Sequence, residues 1–125
     1  MISSNTAGPP FPHPIHLHGH RFYVLASGTG AYSSSVALNL NNPPKRDTAT
    51  LPGGGYLVLA FETDNPGAWL MHCHIAFHIS EGFGVQFLER SSEILSATNG
   101  AAFVEAGCYA WDSYVPPISP NDSGL

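Results

Sequence analysis

Trp69-Leu70-Met71-His72-Cys73-His74-Ile75-Ala76-Phe77-His78 decides the reading of this chain. It gathers three histidines and one of only two cysteines into a few consecutive positions. On an extended strand, successive side chains point to opposite faces. His72 and His74 then lean to one side and Cys73 to the other. One short strand can serve two metal sites joined by the backbone of neighbouring residues. Thiolate and imidazole both suit copper, and a His-Cys-His link of this kind can conduct electrons between the sites.

A second stretch, His13-Pro14-Ile15-His16-Leu17-His18-Gly19-His20, repeats the pattern. As a strand it puts His16 and His18 on one face and Ile15 and Leu17 on the other. His13 lies an odd number of steps from His16 and falls on the opposite side, with Pro14 making that parity approximate. A lone histidine is ordinarily a surface or hydrogen-bonded core residue; two two-faced clusters in one short chain are not explained that way. His20 stands apart, either as a support behind a ligand or as a merely structural residue.

The whole chain sets the bounds. Its 125 residues make one domain at most, and an apolar share of 43% is enough for a core. The net charge is -5 with only 4 Lys plus Arg, which leaves no basic footprint for nucleic acid. No apolar run approaches the roughly 18 residues of a membrane span. Met1-Ile2-Ser3-Ser4-Asn5 has neither a basic start nor an apolar region, so a secretion signal is expected only upstream. Cys73 is better used as a ligand than in an internal disulfide. Cys108 is then left to pair with something outside the chain.

In chain order, residues 1–12 read as an irregular, proline-rich lead-in, since proline cannot serve a central strand. Residues 13–98 carry the strand pattern. Arg21–Ser27 is a strand stopped by Gly28-Thr29-Gly30. Val36-Ala37-Leu38 is a short strand or one helical turn, and Lys45-Arg46-Asp47 a solvated loop end. Asp47–Leu51 alternates weakly, and Tyr56–Thr63 suits a strand covered on both faces. Asp64-Asn65-Pro66-Gly67 is a turn that should join Tyr56–Thr63 to Ala68–Met71 as a hairpin. Ile75–Gly82 is an irregular or helical turn carrying His78 back toward Cys73. Phe83–Glu89 is a last strand, and Ser91–Leu95 a short helix. Residues 99–125 form a helical segment, apolar at helical spacing over 99–111, and a proline-containing tail. Asn121-Asp122-Ser123 fits a glycosylation acceptor. The chain contains no internal repeat.

Two histidines and one cysteine with a weak or absent axial ligand make the electron-transfer copper pattern. His13, Cys73 and His78 can supply it. No methionine follows Cys73. Met71 precedes it and is expected on an adjoining strand, packed in the core. Without an axial donor the reduction potential should be high. His16, His18, His72 and His74 remain as four imidazoles for a second copper centre. Zinc is the rival metal, but the paired-cysteine spacings of structural zinc are missing. A His-only zinc site would explain neither Cys73 nor the symmetry of the two stretches.

The same two stretches resemble the two C-terminal copper-binding motifs of multicopper oxidases, laccases in particular, from about His13 to the end. The ending Asp122-Ser123-Gly124-Leu125 resembles the processed C-terminus of ascomycete laccases, which plugs the channel to the copper cluster. The resemblance implies an all-β, cupredoxin-like Greek-key sandwich, incomplete at its N-terminus, with short helices and a C-terminal tail. Carried over, His13, Cys73 and His78 bind type 1 copper, and Phe83 takes the non-coordinating axial position. His16 binds type 2 copper, and His18, His72 and His74 the binuclear type 3 site, with four coppers in a complete enzyme. Cys108 matches a cysteine bridged to the first domain by a disulfide.

The implied reaction is one-electron oxidation of small phenolic or aromatic amine substrates, including those of lignin degradation, coupled to reduction of O2 to water. Electrons pass through Cys73 to His72 and His74. His78 lies near the substrate, and Asp122 is a candidate for proton delivery. The partners implied are N-terminal cupredoxin domains of the same polypeptide, the first of which supplies the other four histidine ligands; the location implied is extracellular. The isolated chain is then a C-terminal fragment and not an efficient oxidase. The competing classes are a free-standing blue-copper electron-transfer domain, against which the four extra histidines argue, and an inert truncated product.

Overall fold

The computed structural model describes residues 2–3, 10–98 and 100–114. The described strands form two four-stranded antiparallel sheets. The first is ordered β1 (Ile2–Ser3), β6 (Gly55–Ala60), β3 (Phe22–Thr29), β4 (Lys45–Arg46). The second is ordered β5 (Thr48–Leu51), β2 (His13–Leu17), β7 (Gly67–Cys73), β8 (Gly84–Glu89). Among the described residues, three helices sit outside the sheets: α1 (Ala76–Ser80), α2 (Ile94–Ala97), entered through a 3-10 turn at Ser91–Glu93, and α3 (Ala101–Tyr114). The all-β sandwich with short helices is the architecture expected.

The core lies between the sheets and is built from Ile15, Leu17, Phe22, Leu51, Leu57, Met71 and Cys73. Period-two alternation explains why. In β2, Ile15 and Leu17 are buried while His16 between them is half-buried. In β7, Met71 and Cys73 are buried while His72 is half-buried. The register pairs Ile15 with Cys73, His16 with His72 and Leu17 with Met71. Directly opposed residues of an antiparallel pair share a face. The inner face of this sheet is therefore apolar and ends in a thiol, while its outer face carries imidazoles.

Several expectations need correction. Ile2–Ser3 is not irregular: it pairs with Leu57 and Tyr56. Lys45–Arg46 is an edge strand on Tyr23 and Phe22, with the Lys45 ammonium 5.0 Å from the Tyr23 ring centre. Val36–Leu38 is neither strand nor helix; Val36 N–H closes a turn onto the Ser33 carbonyl at 3.1 Å. Met71 lies on the same strand as Cys73, two residues earlier on the same face, and packs in the core. The expected hairpin does not form. β6 has both edges taken by β1 and β3, and β7 has both taken by β2 and β8, so Phe61–Pro66 carries the chain from one sheet to the other.

Gly19 turns the chain just beyond β2. Its φ of +71° is left-handed, and an added Cβ would lie 2.4 Å from the Trp69 ring. Gly19→Ala should lower stability by about 1–3 kcal/mol from backbone strain alone, with more lost as Trp69 is displaced. Urea unfolding checks this, and an unchanged midpoint would contradict it.

Candidate metal centre

The first cluster forms at the end of the sandwich interior. Cys73 ends β7 and is fully buried. His13 opens β2, and α1 brings His78 back over the thiol. The Cys73 Sγ lies 3.3 Å from His78 Nδ1 and 3.7 Å from His13 Nδ1, and the two Nδ1 atoms are 3.3 Å apart. All three potential ligand atoms fall within 4.8 Å of one another, the one such group of three among the described residues. Phe83 covers the site, with its ring centre 5.0 Å from that of His13 and 6.2 Å from that of His78. Its carbonyl accepts from Cys73 N–H at 3.1 Å, tying the two residues together.

The second cluster lies on the opposite face of the same sheet. The ring centres of His16 and His18 are 4.9 Å apart, those of His16 and His72 5.7 Å, and those of His16 and His74 5.6 Å. His18 and His72 bring their Nε2 atoms to 3.0 Å. Two of the rings have their other nitrogen engaged. His16 Nδ1 donates to the Asp47 carbonyl at 2.9 Å, beside Thr48 Oγ1 at 3.0 Å, and His72 Nδ1 donates to the Cys73 carbonyl at 2.9 Å. Engaging Nδ1 in this way fixes the tautomer and leaves the Nε2 lone pair for a metal.

A buried thiol flanked by two imidazole nitrogens, with no carboxylate, is a donor set that suits copper over harder cations. The outer face offers imidazole nitrogen alone. The sequence thus brings its nine candidate residues to two places, with one exception. His13, Cys73, His78 and Phe83 meet on the inner side, and His16, His18, His72 and His74 on the outer. Asp122 lies outside the described residues. Cys108 is free and exposed on α3. His20 is buried, with Nδ1 3.2 Å from the His18 carbonyl. Asp47 and Thr48, which hold His16, were not expected at the site. Their role follows from the pairing of His16 with Thr48 across β2 and β5, which no local pattern announces.

A family model described as multicopper oxidase matches residues 1–93. The chain belongs to the multicopper oxidase family. The match begins ahead of His13, where the resemblance had been expected to start, and so includes the Ile2–Ser3 strand. Laccase-1 of Botryotinia fuckeliana is 56% identical over 125 residues, covering 95% of this chain and 22% of that protein. Dihydrogeodin oxidase of Aspergillus terreus is 44% identical over 117 residues, covering 90% and 19%. The crystal structure of laccase from Botrytis aclada matches with a TM-score of 0.80 at 47% identity, over 93% of this chain and 22% of that one. The chain corresponds to the C-terminal portion of these fungal laccases and spans about a fifth of the length of the curated relatives it matches.

Two histidines are held below their ordinary value of 6.5. His13 is shifted by partial burial and then by the neighbouring charge of His78. His18 is shifted by desolvation and then by His16, His72 and His74. The folded metal-free chain therefore binds fewer protons than the unfolded one just below pH 6.5. Its stability should be whole above that value and decline as pH falls through the lowered folded values. A series of urea midpoints from about pH 8 to about pH 5 tests the sign; midpoints that rise toward acid would contradict it.

Proposed function

We propose that this chain supplies the electron-accepting site and part of the oxygen-reducing site of a laccase-type copper oxidoreductase. That enzyme takes electrons singly from small phenolic or aromatic amine substrates and reduces O2 to water. The observation that carries the reading is the two-sided strand: Cys73 faces inward to His13 and His78, while its neighbour His72 faces outward to His18.

Copper, when bound, supplies the one-electron redox chemistry. In this reading His13, Cys73 and His78 hold the type 1 ion. Phe83, packed against His13 and His78, would add no donor atom beside them, which would favour a high potential. His16 holds type 2 copper, and His18, His72 and His74 contribute to the type 3 pair. With copper bound, Cys73 would offer the electron a covalent route toward His72 and His74. The hydrogen bond from His72 Nδ1 to the Cys73 carbonyl adds a second link over the same few atoms. His78, on the short helix α1 and half-buried, would lie toward the substrate. The remaining ligands would come from N-terminal cupredoxin domains of the same polypeptide, and Cys108 would bridge to the first of them. Asp122 would assist proton delivery, and the whole enzyme would act outside the cell. No helix among the described residues is long and apolar enough to cross a membrane. A second reading, a single blue-copper electron-transfer domain, draws on the full convergence of only the inner three ligands.

Expression with copper tests both. A blue thiolate-to-copper absorption with about one copper per chain at the inner site is expected, together with further non-blue copper at the outer histidines. Cys73→Ser should abolish the blue band and leave the non-blue signal. Blue copper without any non-blue copper would favour the single-site alternative. Tight zinc with no blue copper would overturn the assignment.

A further inference from the structure

His18 lies one residue past the end of β2, so it is held by few ladder contacts. Its N–H donates to the Leu70 carbonyl at 2.9 Å. Its carbonyl faces His20 Nδ1 at 3.2 Å. The other ring nitrogen of His20 lies 2.8 Å from Glu89 Oε2, both side chains almost fully buried. That close approach is not aligned for a hydrogen bond. Glu89 Oε1 in turn accepts from Asn65 N–H at 2.7 Å. The Asn65 side-chain amide donates to the Gly19 carbonyl at 3.0 Å, and Trp69 Nε1 donates to the Asn65 carbonyl at 2.7 Å. The His20 ring packs on Trp69 and Phe61, with centres 5.8 and 5.2 Å apart. These contacts close a circuit through residues 18–20, 65–69 and 89.

A buried carboxylate facing a buried imidazole is costly to assemble and costly to break from one side. Burying the pair is justified here by what it fixes. The circuit ties the start of β7 and the end of β8 to the His18 backbone, and His18 must meet His72 of β7 at 3.0 Å. We propose that His20, oriented by Glu89, is a positioning residue for the outer metal face. It touches no ligand ring. It sets the His18 main chain so that the His18 and His72 Nε2 atoms converge. The proposal rests on the copper assignment above for its functional meaning, but its geometry does not.

The test uses the full chain and Cu²⁺ alone, with two optical and magnetic channels. The blue band reports the inner site, and the paramagnetic resonance of non-blue copper reports the outer one. A third readout, nuclear Overhauser contacts between the His18 and His72 rings in the metal-free chain, needs no metal. His20→Phe keeps the ring packing on Trp69 and removes both nitrogens. It should lose the ring contacts and weaken outer copper about tenfold or more while the blue band persists. Glu89→Gln, which keeps an oxygen for Asn65 but removes the carboxylate facing His20, should weaken the ring contacts and the outer copper in the same direction and to a smaller degree, with the blue band persisting.

Ring contacts and outer affinity unchanged in His20→Phe would overturn the proposal. So would blue and non-blue copper falling together while the chain stays folded, which is the mark of a role not confined to the outer face. If His20→Phe does not fold, His20→Asn and His20→Gln decide. The Asn amide reaches where Nδ1 donates and should keep the outer site, the Gln amide reaches toward Glu89 and should not, and equal behaviour would overturn the proposal. A parent chain that takes up no non-blue copper would sink the functional reading and leave the ring contacts to decide this one.

Discussion

The antiparallel pairing of β2 with β7 is the constraint on which the rest depends. It sets Ile15 against Cys73 and His16 against His72. Because opposed residues share a face, that register alone separates a thiol site inside the sandwich from an imidazole site outside it. A slip of one residue would turn every side chain of one strand to the wrong face. It would bury His16 and expose Ile15. The hydrophobic core therefore enforces the metal chemistry: Ile15, Leu17 and Met71 must face inward, and the histidines between them have no choice but to face outward.

What was legible in the sequence follows from that division. The two-faced clusters could be read because side-chain parity is a local property of a strand. The return of His78 could be read because few residues separate it from Cys73. Strand partners could not be read in the same way. Tyr56–Ala60 and Ala68–Met71 are apolar runs around a turn, which is how a hairpin looks locally. The choice between pairing with each other and pairing in separate sheets is made by β1, β2, β3 and β8, some of them far away in sequence. The same non-locality hid Thr48 behind His16 and Glu89 beside His20.

The cupredoxin layering also explains why the inner site is more finished than the outer. Its three candidate ligands come from two paired strands and the short helix that follows one of them, all anchored to one core. Phe83 packs against two of them, His13 and His78. The outer face is a shell of four imidazoles on one sheet, with their rings separated by about 5 to 6 Å and only one pair of nitrogens in contact.

A single sheet surface cannot surround an ion. Side chains rising from one plane can approach a metal from below and from the sides, but donors above it must come from another surface. The inner site escapes this limit because it lies between layers, where α1 can bend over the thiol. The outer site does not, so four ligands there are as many as one sheet readily presents. The asymmetry has a chemical counterpart. A thiol buried beneath two half-buried imidazoles would hold an ion for electron transfer with little rearrangement. A site open above leaves coordination positions for further ligands and for a small molecule such as dioxygen. In the proposed oxidase, that is the division of labour between the two faces, and the neighbouring residues His72 and Cys73 are the shortest covalent path the fold offers between them.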